Sequence, residues 1–212
     1  MIEVNKLAIE QGAFALQDVS FTVPDGAYAV LMGKSGCGKT TIVEAICGLR
    51  SVVSGSIHLG DRDITHVRPA ERNIAYVPQD VALFPTFKVR DQLAFSLVVR
   101  EAEDSFIAER VELLAERLAI EHLLDRMPQG LSGGEAKRVA LGRALVPQPE
   151  VICLDEPLSN LDEDTAADML ALLETALKAQ NVTVLHVTHS SREADQLADL
   201  TLRLDGGSVL SL

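Results

Sequence analysis

The stretch Gly33–Thr41, which reads Gly-Lys-Ser-Gly-Cys-Gly-Lys-Thr-Thr, constrains the fold of this chain more than any other segment. It follows the apolar run Ala29–Met32 and precedes a helical pattern at Ile42–Leu49. A strand, a glycine-rich loop and a helix in this order are the context that the phosphate-binding motif G-x-x-x-x-G-K-[ST] requires. The alternative is a plain glycine turn, but the bare pattern arises by chance in about one chain of this length in a hundred. The stretch therefore predicts phosphate binding.

Each residue type in this stretch has a physical reason to face phosphate. Gly33, Gly36 and Gly38 let the backbone curl until successive N–H groups point inward as an anion-binding nest. The helix that follows adds the positive end of its dipole. Lys39 can reach the β- and γ-phosphates, and Thr40 can offer its hydroxyl to Mg²⁺. We therefore expect the nucleotide to contact the whole stretch, which consists of Gly33, Lys34, Ser35, Gly36, Cys37, Gly38, Lys39, Thr40 and Thr41.

The charge and the cysteine content narrow the class of protein. The net charge of -12 argues against nucleic acid as a main partner, because phosphate contacts need clustered Lys and Arg. The three cysteines form no C-x-x-C pair, so we expect reduced thiols and neither a disulfide scaffold nor a zinc site. The start of the chain does not resemble a signal peptide, and no run of about 18 apolar residues is long enough to span a membrane. We expect a cytoplasmic protein.

The order of strand and helix patterns predicts an α/β fold. The first segment, Ile2–Phe21, shows β alternation in two strands that are joined near Gln11. Apolar strands at Ala27–Met32, Val151–Leu154 and Val182–Val187 alternate with helical patterns. This alternation is typical of a mainly parallel sheet that helices cover on both faces.

The segment between residues 80 and 130 has a different pattern. Val89, Leu93 and Leu97 share one helical face, and no strand pattern interrupts the segment. We therefore expect a single domain in which 1–79 and 131–212 form the core and 80–130 forms an inserted helical subdomain.

Two carboxylates follow the apolar strand Val151–Leu154. An acidic residue at the end of a buried strand, beside a phosphate-binding loop, is well placed to hold Mg²⁺. Asp155 is our candidate for that role, and Glu156 is the candidate general base that polarises an attacking water. A pair of solvated acids is the alternative, and the phosphate-binding loop upstream makes it the weaker interpretation.

A second glycine-containing segment, Leu131-Ser132-Gly133-Gly134-Glu135, opens another helical pattern. Ser132 is a good N-cap, and the two glycines leave backbone amides exposed, so this helix start is a second candidate anion-binding site. A plain helix cap would explain the serine but not the paired glycines.

The order of these motifs resembles the ATP-binding subunit of ABC transporters over almost the whole chain. The likeness rests on the phosphate-binding loop, Gln79 about 40 residues later, the Leu-Ser-Gly-Gly-Glu segment and the Asp155-Glu156 strand end. It implies an α/β P-loop NTPase core with an N-terminal antiparallel β-subdomain and the inserted helical subdomain. It also implies ATP and Mg²⁺ as cofactors.

The resemblance assigns roles to residues that the patterns alone do not. In the family two copies pair head to tail, so Ser132, Gly133 and Gly134 would contact the ATP that the other copy holds. Gln79 would touch Mg²⁺ and the attacking water, and Asp162 matches a loop that communicates between the two sites. His189 matches the histidine that senses the γ-phosphate. The resemblance assigns no role to His186, which we expect to be a packed core histidine.

The partners that the resemblance implies are transmembrane permease subunits and a second ATPase subunit, which is either an identical or a related chain. A solute-binding protein outside the membrane would act indirectly. Leu83-Phe84-Pro85 and its neighbourhood resemble importers of anions, polyamines and sugars, so we expect an importer subunit on the cytoplasmic face of the membrane. An efflux or lipoprotein-release ATPase and a soluble ATPase without a transport role are the alternatives.

Two details depart from the family pattern or stay open. Gln11 stands where an aromatic residue usually stacks on adenine, so either Phe14 substitutes for it or adenine stacks poorly. Phe84 and Phe87 are candidates for binding a permease loop, and packing inside the helical subdomain is an equal alternative for each.

Overall fold

The computed structural model describes residues 1–12, 14–178 and 182–212 and has the α/β fold that the sequence predicts. In these residues ten strands form two sheets, and six α-helices accompany them. The strands are β1 (Ile2–Gln11), β2 (Phe14–Val23), β3 (Tyr28–Met32), β4 (Ser54–Leu59), β5 (Arg62–Asp63), β6 (Ile74–Val77), β7 (Val151–Asp155), β8 (Thr183–Thr188), β9 (Leu200–Asp205) and β10 (Ser208–Ser211). The helices are α1 (Lys39–Ile46), α2 (Val89–Val99), α3 (Asp104–Arg117), α4 (Gly133–Leu145), α5 (Glu163–Lys178) and α6 (Ser191–Leu197).

The N-terminal sheet is antiparallel, with the strand order β2-β1-β4-β5. Ile2, Val4, Leu7 and Ile9 are the buried residues of β1, so the burial pattern skips two residues after Val4 where strict alternation skips one. The register with β2 shifts at that step, and Lys6 there has a φ of 46°. This β-bulge keeps the apolar side chains of both halves of the strand on the core face.

The second sheet has the order β10-β9-β3-β8-β7-β6. Strand β3 is parallel to both of its neighbours, β8 and β9, and β7 is parallel to β8. The strands β7 and β8 are buried along their whole length, as expected of continuous apolar runs covered on both faces. The mainly parallel sheet is therefore confirmed, and β9 and β10 form an antiparallel hairpin at its edge.

The described residues fall into two compact units. The first comprises Met1–Tyr76, Glu150–Glu156 and 182–212, and the second comprises Val77–Pro149 and 157–178. The first unit contains a continuous apolar core of buried residues from both sheets and α1. The predicted insertion at 80–130 stays a prediction.

Two helices of the second unit, α2 and α4, approach closely at one glycine. A Cβ atom on Gly142 of α4 would lie 2.6 Å from Leu93 Cδ2 and 2.9 Å from Leu118 Cδ1, so a larger residue would push these side chains away. Val89, Leu93 and Leu97 are buried, as the predicted helical face requires. In the part of the chain that the structure describes, no helix is long and apolar enough to cross a membrane.

Candidate active site

The phosphate-binding loop begins directly after the buried strand β3 and ends where α1 begins. Gly36 and Gly38 have φ values of 76° and 107°, which L side chains rarely adopt. Gly38 is also the N-cap residue of α1, and it provides no side-chain cap for the first amides of the helix. Those amides remain available to an anion at the positive end of the helix.

Lys39 fixes the shape of the loop from inside. Its side chain is buried, and its Nζ atom donates hydrogen bonds to the carbonyl oxygens of Gly33 at 2.9 Å and Lys34 at 3.1 Å. The ammonium group at the end of the Lys39 side chain therefore lies against the first residues of the loop. A buried cation in this position provides a point charge for phosphate.

Two glycines of the loop are also required by close packing. A Cβ atom on Gly33 would lie 2.8 Å from both Cys37 Sγ and the carbonyl oxygen of Leu204. A Cβ atom on Gly38 would lie 2.8 Å from Leu16 Cδ1 and from Phe14 Cζ. The Phe14 ring of β2 therefore packs against the start of α1, and the choice between Phe14 and poor stacking of adenine stays open.

Asp155 ends β7 in a buried position, and its chemistry fits a divalent cation. Its Oδ2 atom accepts a 3.4 Å hydrogen bond from the Tyr76 hydroxyl. Its Oδ1 atom is buried and has no hydrogen-bond partner in the described residues. Burial raises the pKa of Asp155, the side chain of Thr40 opposes this shift, and the nearby charge of Glu156 adds to it. A bound cation would satisfy Oδ1 and stabilise the carboxylate form.

Glu156 and His189 form a close pair beside Asp155. Glu156 has a φ of 49°, and its N–H donates a 2.9 Å hydrogen bond to the carbonyl oxygen of Val187. Its carboxylate oxygens lie 2.8 Å and 3.1 Å from Nδ1 of His189. The side chain of His189 is 72% exposed, whereas that of Glu156 is 15% exposed. The strained backbone therefore turns the Glu156 carboxylate from the strand end towards an accessible histidine.

The described residues contain no group of three or more His, Cys, Asp or Glu side chains that could hold a metal ion by themselves. This is the expected situation for Mg²⁺ at a nucleotide, because that ion takes one or two protein oxygens and completes its shell with phosphate and water. Thr40 and Asp155 of the first unit are candidates for those protein oxygens.

The Leu-Ser-Gly-Gly-Glu segment lies in the second unit and starts α4 as predicted. Ser132 is the N-cap, and it forms a reciprocal capping box with Glu135, at 3.2 Å for the amide of Glu135 and 2.6 Å for the amide of Ser132. Gly134 is required by packing, because a Cβ atom there would lie 2.6 Å from Thr165 Cγ2 on α5. Gly133 has more space, because a Cβ atom there would lie 3.9 Å from Leu161 Cδ2, which is an ordinary van der Waals distance.

The remaining predicted residues of the second unit occupy loops. Gln79 is exposed two residues after β6. Asp162 caps α5, because its carboxylate accepts hydrogen bonds from the Thr165 amide at 3.0 Å and the Thr165 hydroxyl at 2.7 Å. These bonds lower the pKa of Asp162. The nucleotide-binding roles of Gln79 and Asp162 stay predictions.

The two predicted aromatic candidates, Phe84 and Phe87, form a cluster with Phe95, and we call these three residues the Phe84 patch. The ring centroids lie 4.8–5.9 Å apart, and the guanidinium of Arg143 lies 5.1 Å from the centroid of the Phe84 ring. Phe84 and Phe95 are each 36% exposed. The buried amide of Gln92 donates to the carbonyl oxygens of Phe84 and Phe87 and fixes the loop that carries them.

The contacts of two further residues, Tyr76 and Lys137, could not be predicted from the sequence. Tyr76 looks like an ordinary aromatic residue of a strand, and only the structure brings its hydroxyl to Asp155. In the second unit, Lys137 donates to the carbonyl oxygens of Pro157 and Ser159 at 2.8 Å and 2.5 Å. A lysine in mid-helix normally faces solvent, so its burial could be inferred only from tertiary packing.

Comparison with known proteins gives consistent matches. The model of a family described as ABC transporter matches residues 16–159. The chain is 43% identical over 199 residues to the molybdate/tungstate import ATP-binding protein WtpC of Thermococcus kodakarensis, covering 94% of this chain and 60% of that protein. It is 43% identical over 195 residues to the sn-glycerol-3-phosphate import ATP-binding protein UgpC of Rhizobium meliloti, covering 92% and 56%. It is 41% identical over 193 residues to the maltose/maltodextrin import ATP-binding protein MalK of Vibrio parahaemolyticus, covering 91% and 52%.

The fold also matches a solved structure. The dimeric post-hydrolysis state of the ATP-binding cassette MJ0796, bound to ADP and Pi, superimposes with a TM-score of 0.86 and 24% identity over 99% of this chain and 96% of that one. The chain spans between 52% and 60% of the length of the three relatives that it matches by sequence.

Proposed function

Because this chain belongs to the ABC transporter family, we propose that it is an ATPase that powers a separate membrane permease. The observation that carries the proposal is the end of β7. There a buried carboxylate with an unpartnered oxygen, Asp155, adjoins a carboxylate held by an accessible histidine, Glu156. The same unit contains a complete phosphate-binding loop.

The loop binds and orients the phosphates. Backbone amides at the start of α1 and the ammonium group of Lys39 provide positive charge in fixed positions, so they stabilise charge that develops on the γ-phosphate without rearrangement. The segment Gly33–Thr41 would follow the phosphate chain, and Phe14, whose ring lies close to Gly38, would offer the base a stacking surface.

Thr40, Asp155 and Gln79 would hold Mg²⁺. When bound, the ion would supply positive charge that neutralises part of the charge of the phosphates. The unpartnered Oδ1 of Asp155 supports this assignment in the first unit. Gln79 is assigned by its place in the motif order.

Glu156 would orient the attacking water and accept its proton. His189 holds the carboxylate through its 2.8 Å contact and keeps an exposed ring edge for the γ-phosphate. Proton transfer by a positioned carboxylate contributes between about a hundredfold and ten-thousandfold to a rate. Loss of this one group should therefore remove most turnover.

The functional form would be a dimer around two ATP molecules. Ser132, Gly133 and Gly134 of one copy would cover the ATP that the other copy holds, and Asp162 would lie at the same interface. The amide groups at the start of α4 suit this role because they lie at a helix N-terminus. The second copy would be an identical or a related chain.

We assign the transport direction as import of a small solute, with the subunit on the cytoplasmic face of the membrane. The three relatives named above are all import ATP-binding proteins, and their names cover an oxyanion, a phosphorylated polyol and a sugar. The Phe84 patch is the proposed contact with a permease loop, because its exposed rings are held in place by Gln92. A solute-binding protein outside the membrane would deliver the solute to the permease.

The variant Glu156→Gln tests the proposal. We expect it to bind Mg·ATP normally, to lose ATP hydrolysis by at least about a hundredfold and to accumulate as an ATP-bound dimer. Glu10→Gln, on an exposed position of β1, is the matched control and should hydrolyse ATP like the wild type. Turnover of Glu156→Gln at the wild-type rate would remove Glu156 from the role of general base.

The same variant serves as a trap for the partner. With Mg·ATP it should retain a multi-spanning permease from detergent-solubilised membranes of the native host, as identified by mass spectrometry. Phe95→Ala added to the trap should weaken recovery, whereas Phe106→Ala, an equally exposed phenylalanine of α3, should not. Recovery of a soluble partner with no membrane protein would contradict the transport function.

A further inference from the structure

A buried histidine lies three residues before the exposed His189 and connects three structural elements. His186 is on β8 and has no exposed surface. Its Nδ1 atom lies 2.9 Å from the hydroxyl of Tyr28 on β3, and its Nε2 atom lies 3.1 Å from Oε2 of Glu193 on α6. Both ring nitrogens therefore face a polar group, although the surroundings are otherwise apolar core.

The chemistry of the neighbours selects one form of the ring. Burial raises the pKa of Tyr28 well above its usual value, and the charge of Glu193 adds to the shift, so the phenol keeps its proton and donates to Nδ1. The ring proton is then on Nε2 and faces Glu193. Burial alone would raise the pKa of Glu193, but the close contact with His186, together with Thr188 and Ser190, lowers it, so Glu193 is a carboxylate.

The contact between His186 and Glu193 is close but bent. Nε2 and Oε2 are buried, and neither has a well-aligned hydrogen-bond partner in the described part of the chain. Nε2 and Oε2 therefore depend on each other for a polar contact. Removal of one atom leaves the other buried and unpaired.

The backbone of the same glutamate is hydrogen-bonded into the turn that carries His189. The Ser190 amide donates to the hydroxyl of Thr188 at 3.1 Å, and the Glu193 amide donates to the hydroxyl of Ser190 at 3.3 Å. Thr188 and Ser190 also contribute to the lowered pKa of the Glu193 carboxyl. The residues on both sides of His189 are thus connected to Glu193, and Glu193 is connected to the core through His186.

We propose that Tyr28, His186 and Glu193 form a positioning network that fixes the turn bearing His189 and so holds its contact with Glu156. The three residues act through His189 and touch neither the nucleotide nor the metal. The consequence for catalysis rests on the proposed ATPase function, whereas the consequence for the geometry of His189 does not.

The geometric consequence is measured by ¹⁵N NMR of the histidine rings, without nucleotide. In the wild type we expect the His186 ring to carry a proton on Nε2, the nitrogen that faces Glu193. Glu193→Gln and Tyr28→Phe should each change the His186 signal, and Glu193→Gln should also shift the ring signals of His189. Val184→Ala, a buried change on the same strand, is the matched control and should leave the His189 signals in place.

The catalytic consequence is measured by steady-state kinetics. Glu193→Gln should lower kcat by between about tenfold and a hundredfold, which is the range for misplacement of an active-site group, with little change in KM for ATP. Glu193→Asp keeps the charge and should recover part of the loss. The folded Val184→Ala variant should have the same kcat as the wild type.

The outcomes separate the two proposals. A wild type without ATPase activity would overturn the proposed function, and the NMR result would still decide the network. An active wild type in which Glu193→Gln changes neither kcat nor the His189 signals would overturn the network.

Discussion

Two glycines of the phosphate-binding loop have the same backbone requirement but different surroundings. Gly36 and Gly38 both have positive φ values, so a side chain at either position strains the backbone. A Cβ atom on Gly36 would meet nothing within 4 Å, whereas one on Gly38 would lie 2.8 Å from Leu16 and Phe14. Substitutions at these two positions therefore separate the free-energy cost of the backbone conformation from the cost of steric crowding.

We predict that Gly36→Ala destabilises the protein by about 1 kcal/mol, which is the cost of a left-handed conformation for an L residue. Gly38→Ala should cost about 2–3 kcal/mol, because the side chains of Leu16 and Phe14 must also move. Urea unfolding without nucleotide measures both values. Equal losses of stability in the two variants would show that the side chains of Leu16 and Phe14 move aside at no energetic cost.

Residue identity alone does not separate His186 from His189. The expectation of a packed core histidine at 186 is confirmed by its complete burial. The hydrogen-bonding role is absent from the sequence pattern, because Tyr28 and Glu193 lie 158 positions before and 7 positions after it, on other elements. The same limit applies to Tyr76 and Asp155.

At the scale of elements, apolar patterns predicted the strands β1, β2, β3, β7 and β8 and the helices α1, α2 and α4. The irregularities were not predictable from them. The bulge of β1 depends on pairing with β2, and β5 is a two-residue strand that exists because it pairs with β4. Both features are consequences of neighbours and leave no periodic signal in their own residues.

The stability of the start of α4 should depend on pH. Hydrogen bonds with the backbone and side chain of Ser132 lower the pKa of Glu135. A lowered folded-state pKa contributes stability above the unfolded-state value, and this stability is lost as the pH falls through the folded-state pKa. Glu135 also carries favourable negative charge at a helix N-terminus.

We therefore predict that Glu135→Gln is less stable than the wild type by about 0.5 kcal/mol near neutral pH, the usual size of a charge effect at a helix N-terminus. The difference should shrink as the pH is lowered through the pKa of the glutamate. Glu112→Gln, an exposed change in the middle of α3, should show no such pH-dependent difference. Chemical unfolding at several pH values measures this, and a difference that persists in acid would contradict the charge-based cap.

At the scale of the whole molecule, the sequence predicted the α/β class and the order of the motifs. The division into two compact units could not be predicted in the same way, because it depends on tertiary contacts. The segments that form α4 and α5 follow strand–helix alternation like the core, yet they group with α2 and α3 in the second unit. The close approach of Gly142 to Leu93 and Leu118 is one contact of this kind.

Two copies of the chain are expected to associate around ATP. In the background of Glu156→Gln, the protein should form a dimer with Mg·ATP, as measured by light scattering after size exclusion. Adding Ser132→Arg should leave nucleotide affinity intact and block the dimer, because a long cationic side chain would occupy the start of α4 where the other copy's ATP is proposed to bind.

Ser132→Ala is the matched control, because it also removes the N-cap and its capping box, at a cost of about 1 kcal/mol. It adds no bulk, so it should still dimerise with ATP, although more weakly because one hydroxyl is lost. If Ser132→Arg dimerises as well as Ser132→Ala does, the start of α4 lies outside the interface and the head-to-tail arrangement is wrong. If both variants bind nucleotide but neither dimerises, the Ser132 N-cap itself is required to shape the start of α4 for contact with the other copy.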